Sequence, residues 1–148
     1  MNKLISILIG GAMLTFAAAC GSGGDSGKTT PGIKKIEPAK PEISDRMIKS
    51  VDIAESIDDA MVEEGKTIFE ANCTACHKID KRFVGPPLAG IAERRDHTWI
   101  MNMILDPEWM VKNDKTAKDL LMEYSAPMAN QNLSNDEARK ILEYFRTL

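Results

Sequence analysis

The chain has 148 residues, enough for one domain and an appendage. A net charge of −3 and a pI near 5.4 argue against a nucleic-acid-binding protein, which needs a basic footprint. Aromatic residues make up only 5 %, thin for a domain that fills its core with its own side chains, a shortfall that a large bound cofactor would make up.

Met1 to Ala19 begins with Lys3 and runs on as apolar or small residues from Leu4. This is the pattern of a secretory signal. An apolar run of about 16 residues is short for a membrane span, which needs roughly 20. The small residues Ala17-Ala18-Ala19 followed by Cys20 resemble the lipobox of bacterial lipoproteins, with Ala17 where that family more often has Leu. The resemblance implies export, cleavage before Cys20 and a lipid on that residue. The domain would then be tethered to a bacterial membrane, in the periplasm or otherwise outside the cytoplasmic membrane. The stretch GSGGDSGKTTPGIKKIEPAKPEISD has few apolar residues and no sustained period, and reads as a tether. About 35 such residues would hold the domain about 30 Å from its anchor. Arg46 to Ile57 has scattered Ile and Val and reads as a short packed helix or as further tether. Residues 20–57 are thus assigned to anchor and tether, and 58–148 to the folded domain.

From Asp58 the periods are helical and the expected class is all-α, with about four short helices. Val62, Gly65, Phe69 and Cys73 share one face of the first, capped by Asp58 or Asp59. Gly65 inside that helix costs up to about 1 kcal/mol against Ala, so another backbone should approach it closely. Lys81 to Arg95, with Gly85-Pro86-Pro87 and Gly90, reads as loop. Trp99, Ile100, Met103 and Ile104 give a second helix that Asp96 caps and Asp106-Pro107 ends. Ala117, Leu120, Leu121 and Tyr124 give a third. Ser134 and Glu137 form a capping box for the last, whose Ala138, Ile141, Leu142 and Phe145 line one face.

The first helix runs into Cys73-Thr74-Ala75-Cys76-His77, a pattern open to three chemistries. Zinc would need a fourth ligand, and only His97 remains, with Cys76 and His77 poorly placed to ligate one ion together. A redox dithiol belongs at a helix start near a βαβ unit, whereas this motif ends a helix and no strand is in evidence. Covalent haem attachment uses all three residues: two thioethers, then His77 on the iron. The cysteine count also closes, with Cys20 for lipid and Cys73 and Cys76 for haem.

With those residues in place, Asp58 to Leu148 resembles a class I cytochrome c. GKTIFEANCTACH is similar to that family's N-terminal helix and haem motif, and VGPPLAG to its G-P-x-L loop. The resemblance implies a cytochrome c fold around one covalently attached haem c. It implies that Gly65 meets the last helix near Ile141 and Tyr144. The Pro86 carbonyl would accept a hydrogen bond from His77 Nδ1, and Leu88 would pack on the haem. APMANQNLSNDEARKILEYF resembles the axial-methionine loop and C-terminal helix, which makes Met128 the expected sixth ligand. Met101, Met103, Met110 and Met122 fall in or near helices, where methionine more often fills core. Trp99 resembles a tryptophan that borders the haem propionates in some relatives, with Arg94 or Arg95 to pair with them. Trp109 reads as core or rim packing.

The expected function is single-electron transfer by a monomer, not catalysis. Partners would be an oxidase, a reductase or another cytochrome. Lys78, Lys81 and Arg82 offer a basic rim or a merely solvated charge run. The rival is a haem enzyme or gas sensor with an open iron position, for which His97 is the only candidate acid–base histidine.

Overall fold

The structure, a computed structural model, describes residues 43–148. The signal segment, Cys20 and the tether as far as residue 42 lie outside the described residues. Within them the fold is all-α, with six helices and no strand: α1 (Asp59–Asn72), α2 (Ile91–Arg94), α3 (His97–Leu105), α4 (Pro107–Asn113), α5 (Lys115–Tyr124) and α6 (Asn135–Phe145).

Aspartates start four of these helices. The side chains of Asp58, Asp96, Asp106 and Asp114 accept the N–H groups of Met61, Trp99, Trp109 and Ala117 at 2.9–3.1 Å. Each bond satisfies a donor that the first helical turn leaves without a partner. The capping box on α6 forms in full, with Ser134 and Glu137 bonded reciprocally. Four of the six helices fall where the periods place them. The expected four become six because two were read as something else. A single turn, α2, sits inside the stretch read as loop. Asp106-Pro107 both ends α3 and starts α4, because proline at the first helical position has no N–H to lose.

The principal helix pair is α1 against α6. A Cβ on Gly65 would stand 2.0 Å from the Lys140 carbonyl oxygen and 3.0 Å from the Ile141 nitrogen. The close approach falls where the sequence placed it. Phe69 then meets Tyr144 and Phe145 with ring centroids 5.6 and 5.7 Å apart. Ala138, Ile141, Leu142 and Phe145 are all buried, with Phe69, Leu88, Ile100, Ile104 and Leu105 beside them.

Residues 43–57 form no helix, yet they are packed. Ile48, Val51 and Ile53 lie against the core. The Asn102 side chain pairs with both the N–H and the C=O of Ile48, at 2.9 and 3.0 Å. Arg146 donates to the Ala54 and Glu55 carbonyls, and Asp58 N–H donates to Glu143 at 3.0 Å. Most of what holds this strap comes from α3, α6 and the chain just outside α6, which is why it has no period of its own.

Candidate functional site

At the end of α1 the chain tightens into one turn. Cys73 N–H still donates to Phe69, and the N–H groups of Cys76 and His77 both return to the Cys73 carbonyl, at 3.0 and 2.9 Å. The turn brings Cys73, half-buried, and Cys76, exposed, to one wall of a cleft, both as free thiols. Burial, and then the neighbouring Cys76, push the Cys73 thiol up to about 11.

His77 Nδ1 lies 3.1 Å from the Pro86 carbonyl oxygen. A carbonyl only accepts, so Nδ1 carries the proton and Nε2 keeps its lone pair for an electrophile such as a metal ion. Such a partner also fixes the ring and raises its basicity. Gly85 N–H donates to the Cys76 carbonyl at 2.9 Å, and Leu88 N–H to Ile79 at 3.0 Å, which closes the loop over the ring. A Cβ on Gly85 would stand 2.5 Å from His77 Cε1, so only glycine leaves room for the imidazole. The role of Gly85 was not foreseen; its place beside Pro86 was the only signal.

The cleft has a volume of about 430 Å³, within the range of cofactor sites. Ala117, Leu120, Leu121 and Tyr124 all line it, so the apolar face of α5 looks into the cleft. Trp99, Ile100, Met103 and Ile104 line it from α3, and Leu88 and Phe145 from the core. Met128 reaches it from the irregular chain between α5 and α6, where Ser125, at φ 52°, has ended α5. The structure thus gathers Cys73, Cys76, His77, Pro86, Leu88, Trp99 and Met128 at one cavity. His97 begins α3 and is not among the residues lining it.

Trp99 donates its ring N–H to Asp114 Oδ1, at 3.0 Å, while the Arg95 guanidinium lies 5.5 Å over its ring. Arg94 donates to the Ala89 and Pro87 carbonyls and so holds the loop that carries Leu88. Lys78 donates to the Thr74 carbonyl at 2.8 Å and lies 5.1 Å over Phe83. Arg82 pairs with Glu123 at 3.1 Å and stacks 4.0 Å over Tyr124.

These residues fit a covalently held haem: two free thiols, a lone pair directed by the Pro86 bond, a thioether, and an apolar cavity in place of missing core. They do not fit zinc. Among the described residues no three His, Cys, Asp or Glu side chains are grouped to hold a metal ion. Fold and site together define a c-type haem protein.

Comparison with known proteins agrees. The cytochrome c family profile matches residues 62–148, and the chain belongs to the cytochrome c family. It is 41 % identical to the solved cytochrome c of Rhodothermus marinus, with a TM-score of 0.66, covering 68 % of this chain and 86 % of that one. An engineered form of that protein bound to a carbene intermediate gives 41 % identity and a TM-score of 0.63, over 68 % and 87 % of the two chains. A cytochrome c-553-like protein of Synechocystis sp. is 26 % identical over 87 residues, 58 % of this chain and 68 % of the relative. The family carries covalently bound haem c, and its members are typically exported electron carriers with redox-protein partners. No helix among the described residues is long and apolar enough to cross a membrane.

Proposed function

We propose that this protein is a membrane-tethered monohaem cytochrome c. It would pass single electrons between respiratory redox proteins through an iron held by His77 and Met128. The observation that carries this reading is the 3.1 Å bond from His77 Nδ1 to the Pro86 carbonyl, in a cleft that Met128 also lines.

Bound haem c supplies a one-electron ferric/ferrous couple. Cys73 and Cys76 hold it by thioether bonds at the end of α1, so the domain cannot lose it by dissociation. Pro86 fixes the His77 ring and strengthens it as a donor. The Met128 thioether is a soft donor that favours the reduced state and raises the potential. Leu88, Ile100, Ile104 and Phe145 exclude water from the cavity. Exposed Cys76 and Val84, with exposed Phe83 beside them, mark its mouth. A partner docks there, over an apolar patch flanked by Lys78, Lys81 and Arg82. Arg94 and Arg95 line the same cavity as Trp99 and offer cations for the propionates. Cys20 carries the lipid, and the residues after it give the domain its reach.

The open-iron alternative needs Met128 away from the metal and an acid–base group above it. His97, its candidate, does not line the cleft. The test is expression with haem-maturation machinery, a haem-stained denaturing gel and optical spectra. The expected result is covalent haem that is low-spin in both oxidation states, with the ferric low-spin spectrum lost in Met128→Ala. An unchanged Met128→Ala spectrum removes the ligand assignment, and a gel without haem overturns the whole reading. For the anchor, Cys20→Ser is expected to release the protein from the membrane fraction.

A further inference from the structure

The strap before α1 reaches the chain that follows Met128. The Arg46 guanidinium donates from Nε to the Leu105 carbonyl at 3.1 Å, from Nη1 to Asn132 Oδ1 at 3.3 Å and from Nη2 to Asn130 Oδ1 at 3.4 Å. Leu105 is the last residue of α3, where carbonyls lack helical partners and a cation is favoured. Asn130 Nδ2 shares that carbonyl at 3.4 Å. Asn130 Oδ1 also accepts Asn132 N–H at 2.8 Å, and Asn132 takes φ 55°, a left-handed conformation that asparagine tolerates. The loop is therefore shaped by two asparagines and one guanidinium that comes from more than 80 residues upstream.

Arg46 is itself delivered from fixed backbone. Two residues on, Ile48 is gripped at both its N–H and its C=O by Asn102, only 8 % exposed. A guanidinium so presented orders loop residues before any sulfur–iron bond has to form, and that ordering entropy is no longer charged to ligation.

We propose that Arg46 is a positioning residue for Met128. By holding Asn130 and Asn132 against the end of α3 it keeps the thioether in the cleft and sets how firmly the sixth position is closed. The inference rests on the assignment of Met128 as sixth ligand. When Arg46 is lost, the loop samples more open states, and a competing ligand gains by the fraction of time the position is open.

The experiment is an imidazole titration of the ferric haem-loaded protein, read optically, since imidazole must displace Met128 to bind. Arg46→Ala is expected to bind imidazole about tenfold more tightly, equivalent to about 1.4 kcal/mol. Arg46→Lys should fall between it and wild type, because an ammonium keeps the charge without the planar fork. Lys140→Ala breaks the ion pairs to Glu64 on α1 and to Asp136 within α6, each 2.7 Å, neither of which involves Arg46, Asn130 or Asn132. It should leave imidazole affinity at the wild-type value. Wild-type affinity in Arg46→Ala overturns the proposal, as does an equal change in Lys140→Ala. Met128→Ala separates the two claims. If its spectrum and imidazole affinity match wild type, the ligand assignment fails and the inference with it. If it differs from wild type while Arg46→Ala does not, the role of Arg46 alone fails.

Discussion

The Cα of Gly65 and the carbonyl of Lys140 meet so closely that a Cβ on the glycine would stand 2.0 Å from the oxygen and 2.4 Å from the carbon. Both atoms are backbone in a packed helix, so neither can turn aside. Gly65→Ala gains up to about 1 kcal/mol of helix propensity. It must also push α1 off α6, which are the principal helix pair. Overpacking of this kind costs about 1–3 kcal/mol and occasionally more, so the second effect wins. A net loss of about 1–2 kcal/mol is expected in denaturant unfolding of the haem-loaded protein. A stabilised Gly65→Ala would mean that the helices do not cross here.

Gly85 makes the corresponding contact with a side chain. Its missing Cβ leaves the space 2.5 Å from His77 Cε1 and 2.8 Å from Nδ1. Gly85→Ala must therefore turn the ring and strain the bond to Pro86. On the proposed ligation, that bond makes His77 a stronger donor, which favours ferric iron. If the bond is worth about 1 kcal/mol more to the ferric state than to the ferrous, losing it raises the potential by about 40 mV for a one-electron couple. Redox titration of the variant checks the sign: a lowered potential contradicts this role for the Pro86 bond.

Much of this was legible beforehand, for local reasons. The haem motif, Gly65, the Pro86 loop and the α6 capping box are patterns of neighbouring residues, and the haem motif and the Pro86 loop meet at the cleft. Of what the sequence concealed, one feature is local and the rest depends on residues far apart in the chain. Asp106-Pro107 reads as a stop, and only the Asp106 bond to Trp109 N–H shows that it is also a start. Glu143 forms an i,i+4 pair with Arg139 on α6. It is wholly buried, because the backbone around Ala54 to Asp58 is drawn over the end of α6. Arg46 gives no signal at all, since each acceptor of its guanidinium lies more than 50 residues away.

Arg82 ties the two walls of the cleft together. It leaves the loop after His77 and reaches the end of α5, bonding the Glu123 carboxylate at 3.1 Å and its carbonyl at 2.9 Å while stacking on Tyr124. Both charged side chains are more than half exposed, so solvent weakens the ion pair. Arg82→Ala is expected to cost about 1 kcal/mol at most, mainly through the lost stack and the carbonyl bond. Glu123→Ala, which spares both, should cost less. Denaturant midpoints of the two variants decide it, and an equal or larger loss in Glu123→Ala would show that the ion pair matters more.

Glu143 couples the stability of the domain to acid. Burial alone would raise its carboxyl. Hydrogen bonds from the Asp58 N–H, Arg139 and Arg146, the last at 2.7 Å, outweigh it and hold the group below the usual carboxylate range. A depressed folded value means that the stabilisation is complete above the unfolded value of about 4.3. It is lost as pH falls through the folded value. Glu143→Gln leaves Arg139 and Arg146 without their anion and is expected to cost about 3 kcal/mol at pH 7. Its deficit against wild type should shrink as pH drops below about 4, because wild type then loses what the variant never had. Glu137, held low by its bonds to Ser134, titrates in the same direction in both proteins and cancels in the difference. Denaturant unfolding of both proteins between pH 3 and 7 provides the check. A deficit that stays constant with pH would show that Glu143 is not the acid-sensitive group.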